Sequence, residues 1–229
     1  VSLGSELNYR GFNDWIKADY TITQVKDIGS LSGLVITELR NVTKPQIDVF
    51  NFGSHTYLDP NEGEITLTYA SYEPELDGSG KKPLIIWLHG GGEGGTDPTI
   101  PLAANKAVEF AAPSVQDIFG GAYVLVPQTP TRWMEPGYND GDDGHSKGNT
   151  GRVLPKTSKY TASLMSLIEE YVKANIGVDR NRIYIGGASN GGFMTTVMQL
   201  TYPDYFAAYF PVCGAMTPGF LFDHEIDLL

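Results

Sequence analysis

A single cysteine, Cys213, in 229 residues leaves nothing for an internal disulfide framework or a cysteine-rich zinc site. Basic residues are scarce too: 16 Lys and Arg stand against 27 Asp and Glu, a formal net charge of -11. Polyanionic nucleic acid is a poor partner for such a surface, and an anionic membrane is little better. No apolar run is long enough for a membrane-spanning helix. The opening residues, VSLGSELNYR, have neither a basic n-region nor an apolar h-region and read as mature or internal sequence. Histidine is the last scarcity. There are four, so histidine-dependent chemistry can be checked one residue at a time.

What is present is material for a core. Hydrophobic residues make up 41% of the chain and charged residues 19%, which suits one globular domain, residues 1–229. Up to about residue 75 the pattern is one of antiparallel strands with a wet face. DYTITQVKDI, LVITELRNV and GEITLTYASYEP alternate in character, the last through Ile65, Leu67 and Tyr69. EPELDGSGKKP is a turn-rich connector. From about residue 83 to 213 the pattern changes. PLIIWLHGG, GAYVLVPQ, NRIYIGG and YFAAYFPVCG are continuous apolar runs, as expected of strands buried on both faces of a parallel sheet.

Helical spacing separates these runs. Residues 157–175 place Tyr160, Leu164, Leu167, Ile168, Tyr171 and Val172 on one face, with Ser163, Glu169 and Lys173 on the other. A second helix follows Ser189 and runs to Tyr202, where Pro203 stops it. Strand–helix alternation of this kind predicts an α/β fold around a mostly parallel sheet. The stretch EPGYNDGDDGHSKGNTGR reads as a loop. Its acids do not fall in the register of an EF-hand calcium loop.

Gly187-Ala188-Ser189-Asn190-Gly191 is a Gly-x-Ser-x-Gly pentapeptide placed after a buried strand and before a helix. That context calls for an abrupt turn with the serine at its apex, in a strained backbone that bulky neighbours would obstruct. The turn lifts the hydroxyl clear of the sheet and sets the helix N-terminus beneath any developing oxyanion. A capping serine in a glycine-rich turn is the plainer alternative. His89-Gly90-Gly91-Gly92-Glu93-Gly94-Gly95, after the first buried strand, weighs against it. Hydrolases with this serine turn take one oxyanion N–H from the residue after the serine, here Asn190, and another from a loop of this kind. A phosphate-binding loop is excluded, since no Gly-Lys-Ser/Thr follows and Glu93 repels phosphate.

The segments PLIIWLHGGGEGGTD, YVLVPQTPTRWM, DRNRIYIGGASNGGFMT and YPDYFAAYFPVCG together resemble the α/β-hydrolase superfamily. They are most similar to bacterial esterases and peptidases related to feruloyl esterases and polyhydroxybutyrate depolymerases, and they cover roughly residues 64–215. The resemblance implies an α/β-hydrolase fold and a serine esterase with Ser189 as nucleophile. Asn190 and Gly91, with Gly92, would supply the oxyanion N–H groups, and Trp133 would lie near the acyl pocket. It further implies a small-molecule or polymer ester substrate, no metal or organic cofactor, and an extracellular or cell-surface setting. A serine peptidase of the same fold and a non-catalytic binding module are the alternatives.

A serine of ordinary pKa needs a histidine base and an orienting carboxylate, in this fold in the order Ser, Asp or Glu, His. Only sixteen residues follow Cys213, too few for the two further strand–helix units that carry them in the resembling families. His89 belongs to the glycine loop, His55 to the N-terminal strands and His145 to the acidic loop. His224 adjoins Asp223 in DHEIDLL and reads as a solvated surface residue. The expectation is therefore an incomplete C-terminal part, with the acid and histidine on a segment outside this chain that packs against it as a separate piece.

Overall fold

The computed structural model describes residues 46–135, apart from 77 and 79, and residues 158–214. The expected strands DYTITQVKDI and LVITELRNV, and nearly all of the acidic loop, lie outside those residues.

The described strands are β1 (Asn51–Asp59), β2 (Gly63–Tyr72), β3 (Lys82–Leu88), β4 (Tyr123–Gln128), β5 (Val178–Ala188) and β6 (Ala208–Val212). They form one sheet in the order β1-β2-β4-β3-β5-β6. β1 and β2 are a hairpin. Its turn is drawn tight by Asp59, whose Oδ1 accepts the N–H groups of Asn61 and Glu62 at 2.8 and 3.1 Å. β2 lies antiparallel to β4, and β4, β3, β5 and β6 run parallel.

Every residue of β3 and of β4 is buried, as their unbroken apolar character predicts. Successive side chains feed opposite cores. Leu84, Ile86, Leu88 and Leu125 pack with α3 (Thr161–Ala174) and α4 (Asn190–Thr201). Trp87, Val124 and Val126 pack on the other face with Leu102, Ala107 and Phe110. That second face is closed by α1 (Thr99–Ala103), a 3₁₀ segment (Ala104–Ala111) and α2 (Pro113–Phe119), which sequence periodicity left unassigned. These elements are too short to display a helical stripe.

Two expectations need correction. Ser163 is buried rather than on the polar face of α3, and its hydroxyl is satisfied by donating to the Tyr160 carbonyl at 3.1 Å. The fourth apolar run is not buried on both faces. β6 is the last strand of the described sheet, and Val212 is 44% exposed.

The order of the parallel strands reverses at β3. The connection after β3 leads to β4 on one side, and the connection after β4 returns past β3 to β5 on the other. The crevice at the carboxyl ends of β3 and β5 is therefore a topological switch point, where open α/β sheets place their ligands.

Candidate active site

Ser189 stands where β5 ends and α4 begins, with φ 53° and ψ -112°. A positive φ is costly for a residue with a Cβ and is held only by its surroundings, at roughly 1–3 kcal/mol. The surroundings here are visible. The Ser189 N–H donates to the Val212 carbonyl at 2.8 Å, and the Ser189 carbonyl accepts the Phe193 N–H at 3.1 Å. The flanking glycines are required by close approach. A Cβ at Gly191 would lie 2.1 Å from the Leu88 carbonyl oxygen, and one at Gly187 would lie 2.6 Å from the Gly191 backbone. The turn thus presses against the end of β3, where Leu88 pairs with Gly187.

Among the described residues the hydroxyl has no hydrogen-bond partner. Ser189 is exposed and occupies the N-cap position of α4, yet its side chain makes no capping hydrogen bond. A capping serine would accept an N–H of the first turn. That alternative is therefore not what the structure shows, and the first N–H groups of α4 have no side-chain cap.

The glycine loop after β3 closes on itself around Glu93. Gly90 N–H donates to Glu93 Oε2 at 2.9 Å, and Glu93 N–H returns to the Gly90 carbonyl at 3.2 Å. Burial pushes the Glu93 carboxyl above its usual range, partly offset by the Gly90 N–H. Gly90 is therefore spoken for. Gly91 and Gly92 form the tip, and neither N–H has a hydrogen-bond partner among the described residues. A Cβ at Gly91 would sit 3.5 Å from Asn190 Cβ, so the tip lies against the first residue of α4.

His89 anchors this loop from below. It is fully buried, its Nδ1 donates to the Gly90 carbonyl at 2.7 Å, and its Nε2 accepts from the Thr129 N–H at 3.2 Å. That pattern requires the neutral Nδ1–H form, and burial lowers its pKa to about 4. Both ring nitrogens are engaged, so His89 is a structural pivot rather than a base for Ser189.

A third segment, residues 129–135, completes the crevice and was not recognised for what fixes it. The Asn190 side chain grips it twice: Oδ1 accepts the Met134 N–H and Nδ2 donates to the Met134 carbonyl, each at 3.0 Å. Ser158 Oγ donates to the Trp133 carbonyl, and Lys159 pairs with Glu135 at 2.7 Å. Gly94 touches the same segment so closely that a Cβ would overlap the Thr131 carbonyl oxygen at 1.5 Å. Trp133 is placed in the core rather than on a cleft wall. Its ring is fully buried between His89, with centroids 5.1 Å apart, and Tyr160, edge-on at 6.2 Å.

The structure therefore brings Ser189, Asn190, Gly91 and Gly92 together at one end of the sheet and sets Trp133 beneath them. His55 lies on β1, away from this crevice, hydrogen-bonded to Ser166 and Glu170 on α3. His145, His224 and Tyr138 lie outside the described residues.

A parallel sheet with a switch-point crevice, a strained serine between strand and helix, and a glycine loop beside it define an α/β-hydrolase fold. Within it, comparison with known proteins points to ester-cleaving relatives. Residues 141–225 match the model of the prolyl oligopeptidase family. The chain is 30% identical over 200 residues to feruloyl esterase B of Neurospora crassa, covering 83% of this chain and 56% of that protein. It is 32% identical over 140 residues to poly(3-hydroxyalkanoate) depolymerase C of Paucimonas lemoignei, covering 58% of this chain and 28% of the relative. The crystal structure of a thermostable esterase superposes with a TM-score of 0.59 at 30% identity, over 77% of this chain and 44% of that one. The chain thus spans about half the length of these relatives, or less.

Proposed function

We propose that this chain carries the nucleophile and oxyanion site of a serine hydrolase that cleaves carboxylic esters. The observation that carries the reading is Ser189: strained, exposed, and with a hydroxyl unused by the helix it starts. A serine held in that state has no structural purpose that an unstrained cap would not serve better.

In the proposed reaction Ser189 Oγ attacks the ester carbonyl carbon while a histidine takes its proton. The carbonyl oxygen becomes an oxyanion, held by the Asn190 and Gly91 N–H groups with Gly92 beside them. The alcohol leaves with the proton from the histidine, and water then attacks the acyl-serine, releasing the acid and restoring Ser189. The base is a histidine outside residues 1–229, on a segment that seats on β6. Its apolar surface gives that segment something to cover: Val212 is 44% exposed, and Ala208 and Pro211 are exposed beside it. Aryl-acyl or polyester substrates are the class we favour, because the two sequence relatives are named for such esters.

A peptidase is the second reading, favoured by the prolyl oligopeptidase match over residues 141–225. Side-by-side assays on p-nitrophenyl esters, feruloyl esters, polyhydroxybutyrate film and peptide anilides separate the two. Turnover of esters with anilides left intact supports the esterase. Cleavage of anilides alone would replace it with the peptidase, and no turnover of either by the enzyme with its downstream segment would leave a binding module.

A further inference from the structure

At the opposite edge of the sheet from Ser189 lies a cavity of about 320 Å³ between the β1–β2 hairpin and the last turns of α3. Its position follows from register. Asn51 pairs with Ser71, and Tyr72 pairs with Val124 near the start of β4, whereas Ser189 follows the end of β5, which runs parallel to β4 in the same sheet. Three aromatic rings line it: Phe52, 48% exposed, and Tyr69 and Tyr171, which meet edge to face with centroids 6.4 Å apart. Two carboxylates, Glu73 and Glu170, share the lining, and among the described residues no lysine or arginine does. The last residue of α3, Ala174, and its C-cap, Asn175, form the rim, so the negative end of the helix dipole lies at this space.

Two details show a built site rather than a crease. Tyr171 is 7% exposed, and its ring lines the cavity with the hydroxyl enclosed near Ser71. Burial, and then the Glu73 carboxylate nearby, hold that phenol protonated. Glu170 in turn is fixed by His55, whose Nδ1 lies 2.9 Å from Glu170 Oε2 and whose Nε2 lies 2.9 Å from Ser166 Oγ. This Ser–His–Glu series has the order of a catalytic relay. It is not one, because Ser166 is in the interior of α3, where backbone N–H groups are consumed by the helix and none is left to hold an oxyanion. The series instead aims a carboxylate.

We propose that this cavity binds a small organic cation carrying an alkylguanidinium or alkylammonium group. Ring faces and carboxylates attract such a cation together. The net charge of -11 raises the local concentration of any cation.

The test is calorimetric titration of the protein with n-butylguanidinium and with its neutral isostere n-butylurea. Butylguanidinium is expected to bind saturably and at least about tenfold more tightly than the urea. Glu73→Gln and Glu170→Gln are each expected to weaken it about tenfold, and Tyr171→Phe to weaken it less, with Ser189-dependent ester turnover unchanged. Glu73 and Glu170 are exposed, so these two variants remain informative if Tyr171→Phe fails to fold. Equal binding of urea and cation, no saturable binding of either, or wild-type affinity in both glutamine variants would overturn the proposal. None of these outcomes bears on Ser189.

Discussion

Ser189 sits at the turn from β5 into α4, exposed, with a positive φ and a hydroxyl bonded to no N–H of its helix. Ser166 sits inside α3, with an imidazole 2.9 Å away and a carboxylate behind the imidazole. The first has the backbone of a nucleophile and no base among the described residues. The second has a base and an acid and the backbone of an ordinary helix. On the proposed reading, the contrast lies in what the fold itself supplies. An imidazole beside a serine arises wherever a strand packs on a helix. In this fold, spare N–H donors next to a serine arise where a helix begins and a loop of small residues meets it.

The largest effect that can break this comparison is in turnover. Ser189→Ala is expected to lower ester turnover of the enzyme with its downstream segment by at least about 10⁴-fold. Ser166→Ala is expected to leave it within about twofold. Steady-state rates on a short-chain ester decide it, and the reverse pattern would exchange the roles of the two serines.

Next comes the donor loop. Gly91→Pro removes one N–H and is expected to cut kcat about 10²- to 10³-fold with little change in KM. Gly91→Ala keeps the N–H and has ordinary contact distances to Asn190 and Arg132, so it should retain most of the rate. An unchanged kcat in the proline variant would move the second donor to another residue of 89–95.

A buried histidine sharpens the contrast through pH. Burial lowers His89 from the ordinary 6.5 to about 4. Between those values the unfolded chain binds a proton that the folded chain refuses. Stability therefore falls as pH drops through that window, by about 3 kcal/mol in total. Glu93, raised by burial, works in the opposite direction over part of the same range, so the His89 contribution is obtained by difference. Urea titrations from pH 7 to 4 should show a shallower loss in His89→Gln than in wild type. Parallel curves would mean that His89 is not buried neutral.

Smallest are the clamps. Asn190→Ala deletes both bonds to the Met134 backbone and is expected to cost about 2 kcal/mol in thermal unfolding. Glu170→Ala breaks a pair whose carboxylate is 69% exposed and should cost less than about 1 kcal/mol. Equal losses would show that the crevice is no more tightly tied than the far edge.

The strand runs PLIIWLHGG, GAYVLVPQ and NRIYIGG were legible because burial on both faces leaves an unbroken apolar string. The helix read at 157–175 is observed at Thr161–Ala174 because its stripe spans four turns. The serine turn was legible because its glycines answer to backbone collisions within a few residues. What escaped depends on contacts distant in sequence. Asn190 grips Met134 across 56 residues, and His55 meets Ser166 across 111. Asn190 was valued only for its backbone N–H, and no local pattern marks its side chain as a clamp. Trp133, expected near an acyl pocket, is fully buried between His89 and Tyr160, a placement that no local pattern in its Pro- and Thr-rich segment announces.

The central claim, that the backbone around Ser189 and not the relay around Ser166 makes the nucleophile, is tested most directly by peptide mapping after reaction with a fluorophosphonate probe. The enzyme with its downstream segment should carry a single adduct, on the peptide containing Ser189, and lose it in Ser189→Ala. An adduct on Ser166 or another serine, or none in a preparation that turns over esters, would contradict the account.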